Sequence, residues 1–345
     1  MKNLDINELL NNLSVSERVL LLDKLKTLVF GDKTKDNTSI SACPCCNEIK
    51  IIKYGSYNNT PKYKCKTTNK IFTYRSKTIL SGISNTYLGK LEELLTLMVN
   101  KKIPTITEIQ YKLKICRQTA FDWRTKIITA IYKEVCLDNQ LIEFDETNFR
   151  LSRKGRKGLV YGRKNGKKIV GDNPYNVKVF ISYSRTNKKL ELLVSHMGRS
   201  KGEDINNYLG SKKELVIYSD KHPSYKKVFK DNGFDFQTFK SSDHILKTNN
   251  DVHNQTINYH CGNLQKILND DLKGVSTKYL QGYLNWYMFI ENTKNESSQI
   301  KETVIENKIG YDIFKQKEKE FKYFLRNNGR TDYGVFKDRY YKNVA

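Results

Sequence analysis

At 345 residues, with 38% hydrophobic and 11% aromatic side chains, the chain is long enough for two or three domains and a full α/β core. No segment approaches the roughly eighteen apolar residues of a membrane span. The start, Met1-Lys2-Asn3-Leu4-Asp5, lacks a signal peptide's apolar run, so the expected compartment is the cytoplasm, with no membrane partner. The net charge of +24 makes polyanions the natural partners, because Lys and Arg release counterions when they neutralise phosphates.

Residues 4–30 read as two helices. Ser14 and Glu17 make a capping box ahead of Leu20, Leu21, Leu25, Leu28 and Val29, and a polar linker follows over 31–42. The segment to about Leu80 is strand-like and carries eight basic residues against one Glu. Helical spacing returns with Leu88, Leu91, Leu94, Leu95 and Met98. Pro104-Thr105 then opens a second helix, with Thr105 and Glu108 as its capping box. A turn at Lys114-Ile115-Cys116 leads to a third helix from Arg117 to about Glu134. Short helix, tight turn, basic helix is the helix-turn-helix outline, although any small three-helix bundle shares it. Arg117, Gln118, Arg124 and Lys126 on the last helix tilt the reading toward DNA.

After Asn139 the texture becomes α/β. Strands are expected at 140–149, 177–184, 189–196 and 214–219, and helices at 222–232, 251–270 and 276–290. Asp145 lies mid-strand, where alternation places Leu141, Glu143, Asp145 and Thr147 on one face and Ile142, Phe144 and Glu146 on the other. Asp220 ends the strand Leu215–Asp220. Two converging carboxylates suit a hard divalent ion. The plainer alternative is that Asp220 caps the next helix and Asp145 pairs with a Lys. Residues 150–168 carry nine basic side chains and no acid, including Arg153, Lys154, Arg156, Lys157, Arg163 and Lys164, and four glycines keep this run loop-like. Four of the nine are Arg, which codon drift toward Lys in an AT-rich genome does not favour. Tyr279, Tyr283, Trp286 and Tyr287 read mainly as core, with base stacking as the lesser alternative.

Seven cysteines, three of them within residues 43–46, argue for metal chemistry over disulfides. Cys43 and Cys46 make one C-x₂-C knuckle. The second knuckle has Cys65 followed three residues on by Thr68, so a Zn²⁺ site would have three ligands, borrow Cys45, or be absent.

The blocks "YKCKTTNKIFTYRSKTIL", "ICRQTAFDWRTKI", "IEFDETNFRLSRKGRKG", "LVIYSDKHPSY" and "LKGVSTKYLQGYLNWYMF" together resemble insertion-sequence transposases of the DDE superfamily. They are similar to the branch with a zinc ribbon and helix-turn-helix before an RNase H-like domain. The resemblance implies modules at 1–35 (helices), 41–80 (zinc ribbon), 84–136 (helix-turn-helix), 138–295 (catalytic) and 296–345 (basic tail). It also implies Mg²⁺- or Mn²⁺-dependent cleavage and joining of double-stranded DNA, at element ends and target, by a homodimer or larger assembly on the nucleoid. Asp145 and Asp220 take the first two metal positions, and Asn258 falls at the third, in a helix without Glu. Relatives often carry His and Lys three and seven residues later, where this chain has Cys261 and Gln265; His260 and Lys266 are neighbouring stand-ins, and Asp251 is a reserve carboxylate. Asn254, Asn258, Cys261 and Gln265 share one helical face, with Ile257, Leu264 and Leu268 as the core stripe. These departures also fit a decayed, non-catalytic DNA-binding descendant.

Overall fold

The computed structural model describes residues 40–293 apart from 41, 58–59, 77–79, 81, 100–102, 131–134, 153, 155–175, 241 and 244. The expected helices before residue 31, the basic tail, and Arg153, Arg156, Lys157, Arg163 and Lys164 lie outside the described residues. What is described divides into two compact units that meet in sequence at Ser84 and Asn85.

The first unit is a three-stranded antiparallel sheet, β1 (Ile51–Tyr57), β2 (Thr60–Cys65) and β3 (Ile71–Phe72). Cys43, Cys65 and Phe72 form its small core, with Ile40, Cys45, Ile51 and Tyr63 packed at the edge.

The second unit begins with three helices, α1 (Leu88–Val99), α2 (Ile106–Leu113) and α3 (Arg117–Ala130). In α1 the residues Leu91, Leu94, Leu95 and Met98 recur at helical spacing and are buried together. The capping box of α2 is present: Thr105 N–H donates to the Glu108 carboxylate at 2.6 Å, and Glu108 N–H donates to the Thr105 hydroxyl at 3.2 Å. Lys114 closes α2 in the left-handed region, φ +49°, which turns the chain into α3.

The sheet that follows has the order β6-β5-β4-β7-β8. Its strands are β4 (Leu141–Arg150), β5 (Asn176–Ser184), β6 (Leu190–Met197), β7 (Val216–Asp220) and β8 (Asp235–Phe239). The first three pair antiparallel, and β7 and β8 run parallel to β4. In order of appearance this is 3-2-1-4-5 with the second strand reversed, the sheet of an RNase H-like domain. On one face Ile142, Phe144, Phe180 and Ile217 pack against α4 (Gly202–Leu209) and α5 (Pro223–Asp231) through Tyr208, Tyr225, Val228 and Phe229. The other face carries α6 (Gln255–Gln265) and α7 (Leu280–Asn292).

α7 is apolar almost all round, as a helix enclosed by protein must be. It lies between β6, which it meets through Gln281, Met288 and Asn292, and α3. Gly282 lets α3 come close: a Cβ there would stand 3.1 Å from the Ile128 side chain. Tyr283, Trp286 and Tyr287 are core, as expected.

The sequence reading differs from the structure around residue 251. The helix expected over 251–270 starts only at Gln255, because Asn249–His253 form a strand, β10, paired with β9 (Ile245–Leu246). Helical spacing of polar residues hid this hairpin, whose one inward side chain is Val252, and β8 was likewise not expected. Beyond Gln265 the backbone widens into a π-helical turn, Lys266–Asp271.

Candidate active site

β4 and β7 run side by side with Glu143 opposite Tyr218, so two residues further along each strand come Asp145 and Asp220. Asp145 Oδ1 accepts from the Glu146 N–H at 2.7 Å, and Oδ2 accepts from the Asn254 amide at 3.1 Å. Burial, then the Asp220 charge, pushes the Asp145 carboxyl up to about 7. The plainer alternative for this pair is not what the structure holds. Asp145 accepts from an amide and a backbone N–H, and the N-cap of α5 is His222.

Asn258 reaches Asp145 through a neighbour. Its amide donates to Asn254 Oδ1 at 3.1 Å, and Asn254 in turn donates to Asp145. Because a carboxylate only accepts, Asn254 must present its NH₂ to Asp145 and its oxygen to Asn258. Asn258 then donates through its own NH₂, leaving its oxygen as the acceptor end of the relay. Further along the same face, Gln265 donates to the Thr147 hydroxyl at 3.2 Å. Cys261 is pushed up to about 12 by burial and the Asp145 charge, so it stands there as a neutral thiol. The four-residue face read from spacing is therefore the face turned to β4.

The proposed stand-ins do not join it. His260 is buried on the opposite side, 3.1 Å from the Tyr287 hydroxyl and 3.8 Å from Glu291. Lys266 belongs to the π-helical turn, and Asp251 is exposed in β10, where it offers its backbone carbonyl to Arg185.

Among the basic residues, Arg117 and Gln118 are exposed at the start of α3, and Gln118 donates to Asp122 at 2.8 Å. Arg124 must be corrected. It is 6% exposed and donates to the Pro104 carbonyl at 2.9 Å and the Tyr283 hydroxyl at 2.8 Å, so it braces α3 against α7 and has no face for DNA. Lys126 is half-buried. The Lys154 ammonium is used on the carbonyls of Leu272, Lys273 and Gly274 at 3.2, 3.1 and 2.6 Å. With Ser152 and Thr277 exchanging two hydrogen bonds, Lys154 ties the segment just after β4 to the loop that precedes α7.

In the first unit, the thiols of Cys43, Cys46 and Cys65 all lie within 4.8 Å of one another, and Cys46 and Cys65 are 3.6 Å apart. The neighbouring Thr68 side chain and the Thr68 N–H, which donates to Cys65 Sγ at 3.5 Å, lower Cys65 to about 6, which favours the thiolate that a metal needs. Cys45 points its backbone N–H, not its thiol, at Cys43 Sγ, 3.4 Å away.

Sequence reasoning noticed Glu143, Thr147 and Asn254 as face-mates of Asp145 and Asn258 but gave them no role. The signal was available: Glu143, two residues before Asp145 on a strand, must share its face.

A family model described as the ISXO2-like transposase domain matches residues 137–292. Among curated proteins none matches. Solved structures that resemble the chain include a simian T-cell lymphotropic virus intasome in complex with the PP2A regulatory subunit B56 gamma, at 11% identity and TM-score 0.27, over 59% of this chain and 65% of that one. A Mos1 strand transfer complex aligns at 12% identity and TM-score 0.26, over 67% and 77% of the two chains. The Drosophila P element transposase strand transfer complex does so at 13% identity and TM-score 0.27, over 67% and 64%. The chain thus spans less than two thirds of the retroviral and P element chains.

Proposed function

We propose that this chain, with its ISXO2-like transposase domain, is a transposase that binds the ends of an insertion sequence and carries out metal-dependent DNA cleavage and strand transfer. The observation that carries the reading is the pair Asp145 and Asp220, raised side by side on adjacent strands and repelling each other. Two carboxylates and an amide oxygen fit a hard divalent ion, and the upward shift of Asp145 reports like-charge crowding that a cation relieves. Asp145, Asp220 and Asn258 would hold Mg²⁺ or Mn²⁺. When bound, such ions activate a water or 3′-hydroxyl and stabilise the leaving oxygen. The chain's own part is positional: β4 and β7 hold the carboxylates at one level, and Asn254 orients the Asn258 amide.

End recognition is assigned to residues 41–136, with α2 and α3 as the helix-turn-helix and Arg117 and Gln118 at the exposed start of its second helix. The basic run 150–168 is assigned to phosphate contacts beside the carboxylates. A zinc ion on Cys43, Cys46 and Cys65 would brace the first unit. The working form is a homodimer or larger assembly on double-stranded DNA.

The test is cleavage and joining of duplexes carrying the terminal repeats that flank the gene, with Mg²⁺ or Mn²⁺. Wild type should cut and join, and Asp145→Ala and Asp220→Ala should bind ends without cutting. Wild-type protein that binds ends but never cuts would favour the decayed DNA-binding reading, for which Thr68, Cys261 and Gln265 speak. Joining that survives both substitutions would overturn the site.

A further inference from the structure

The start of α6 is capped from another element. Its N-cap residue, Asn254, is of a type that accepts from the second or third helical N–H, yet it makes no side-chain cap bond. Its amide is turned onto Asp145 and Asn258 instead. Glu143, fully buried on β4, fills the vacated role: Oε2 accepts from the Ile257 N–H at 3.2 Å, and Oε1 accepts from the Thr256 hydroxyl at 2.9 Å. A carboxylate also suits the positive end of a helix dipole.

A buried carboxylate is costly unless paired. Here the partner is Arg185, in the turn after β5, whose Nε donates to Glu143 Oε1 at 2.8 Å. The same guanidinium donates to the carbonyls of Asp251 and His253 at 2.5 and 3.1 Å and lies 5.0 Å from the centre of the Tyr218 ring. One ion pair therefore ties β4, β7, the end of β10 and the first turn of α6 together. Apart from Arg185, its members come within a few positions of a site residue: Glu143 of Asp145, Tyr218 of Asp220, His253 and Thr256 of Asn254 and Asn258.

We infer that Glu143 is a positioning residue: by capping α6 in place of Asn254, it frees Asn254 for the relay and sets where Asn258 and Cys261 stand against Asp145. The inference rests on the proposed metal site for its consequence in binding, but not for its consequence in structure. Without the Glu143 carboxylate the first turn of α6 loses its cap and the half-buried Arg185 loses its anion. Asn254 then competes for its own helix N–H groups and withdraws from Asp145.

Two readouts on the full-length protein test this. The first is Mn²⁺ affinity, followed by electron paramagnetic resonance. Loss of a partner behind the ligands should weaken it about 10- to 100-fold in Glu143→Ala, and less in Glu143→Gln, which keeps an acceptor oxygen. The second needs no metal: the alkylation rate of Cys261, read by peptide mass spectrometry, should rise several-fold in Glu143→Ala as α6 leaves β4. Glu191→Gln is the stability control, since Glu191 makes its own ion pair with Lys212 at 2.9 Å on β6. It should lower thermal stability without moving either readout. Wild-type values for Glu143→Gln and Glu143→Ala in both readouts would overturn the inference, as would equal changes in Glu191→Gln. A wild type that binds no Mn²⁺, or an Asp145→Ala variant that binds it unchanged, strikes at the proposed metal site. The Cys261 rate then decides the positioning role alone.

Discussion

The two candidate metal sites differ in how they are held. The cysteine site of the first unit is local: Cys43 and Cys46 come from one turn, Cys65 and Thr68 from another, and Phe72 alone joins Cys43 and Cys65 in the buried core. The carboxylate site is assembled from β4, β7 and α6, with Glu143, Arg185, Asn254 and Gln265 supporting it from β4, the turn after β5 and α6. Each departs from a full set of charged ligands, with Thr68 three residues after Cys65 at one site and the neutral Asn258 at the other. A local site that loses a ligand has nothing else to shape it, whereas a site braced by tertiary contacts keeps its outline. The carboxylate site should therefore tolerate its neutral third ligand better than the ribbon tolerates Thr68.

The largest effect expected is at the carboxylates. Asp145→Ala or Asp220→Ala should lower strand transfer by more than about 10³-fold, beyond the loss from removing one stabilising donor, with end binding by gel shift within a few-fold of wild type. Full activity in either variant would make the braced site irrelevant to chemistry. Next comes the ribbon. Cys65→Ser should abolish zinc in metal analysis of purified protein, and Thr68→Cys should raise zinc affinity by about tenfold or more by completing four ligands. If Thr68→Cys changes nothing, the three-thiol cluster is not a zinc site in want of a ligand.

A smaller effect follows from Asp145. Its carboxyl, near 7 in the fold against about 4 unfolded, opposes folding once it ionises. In metal-free protein the stability from this group is fully present below pH about 4 and is lost as pH rises toward 7. Metal binding must displace that proton, so Mg²⁺ or Mn²⁺ should raise the melting temperature more at pH 8 than at pH 6, and Asp145→Asn should flatten the difference. An equal rise at both pH values would remove Asp145 from the metal site. The smallest contrast lies on α3. Arg117→Ala should weaken end binding with stability within about 0.5 kcal/mol, and Arg124→Met should cost about 1–3 kcal/mol by leaving buried partners unmet. Loss of DNA affinity in stable Arg124→Met would reverse the reading of a bracing arginine.

Much of this was legible in one dimension. Alternation alone placed Asp145 on the face of β4 that meets α6, helical spacing put Asn254, Asn258, Cys261 and Gln265 on one stripe, and Thr105 with Glu108 marked the start of α2. Arg124 was misread because a basic residue on a helix looks the same whether it faces phosphate or, as here, a tyrosine on a helix 159 residues away. His260 was misjudged for the same reason, since one position along α6 rotates a side chain from the carboxylates to Tyr287. β10 was hidden because a short polar strand has no periodicity of its own.

Periodicity, caps and ligand spacing act over a few residues, so they can be read before folding, and they located four strands of the main sheet, the two Asp residues and the cysteine knuckle. Which polar groups satisfy one another could not be read that way. That Glu143 caps α6, that Asn254 serves Asp145 and not its own helix, and that Arg185 closes the arrangement all depend on pairings across 42 to 114 positions. Such pairings exist only once a buried group has no water left to choose.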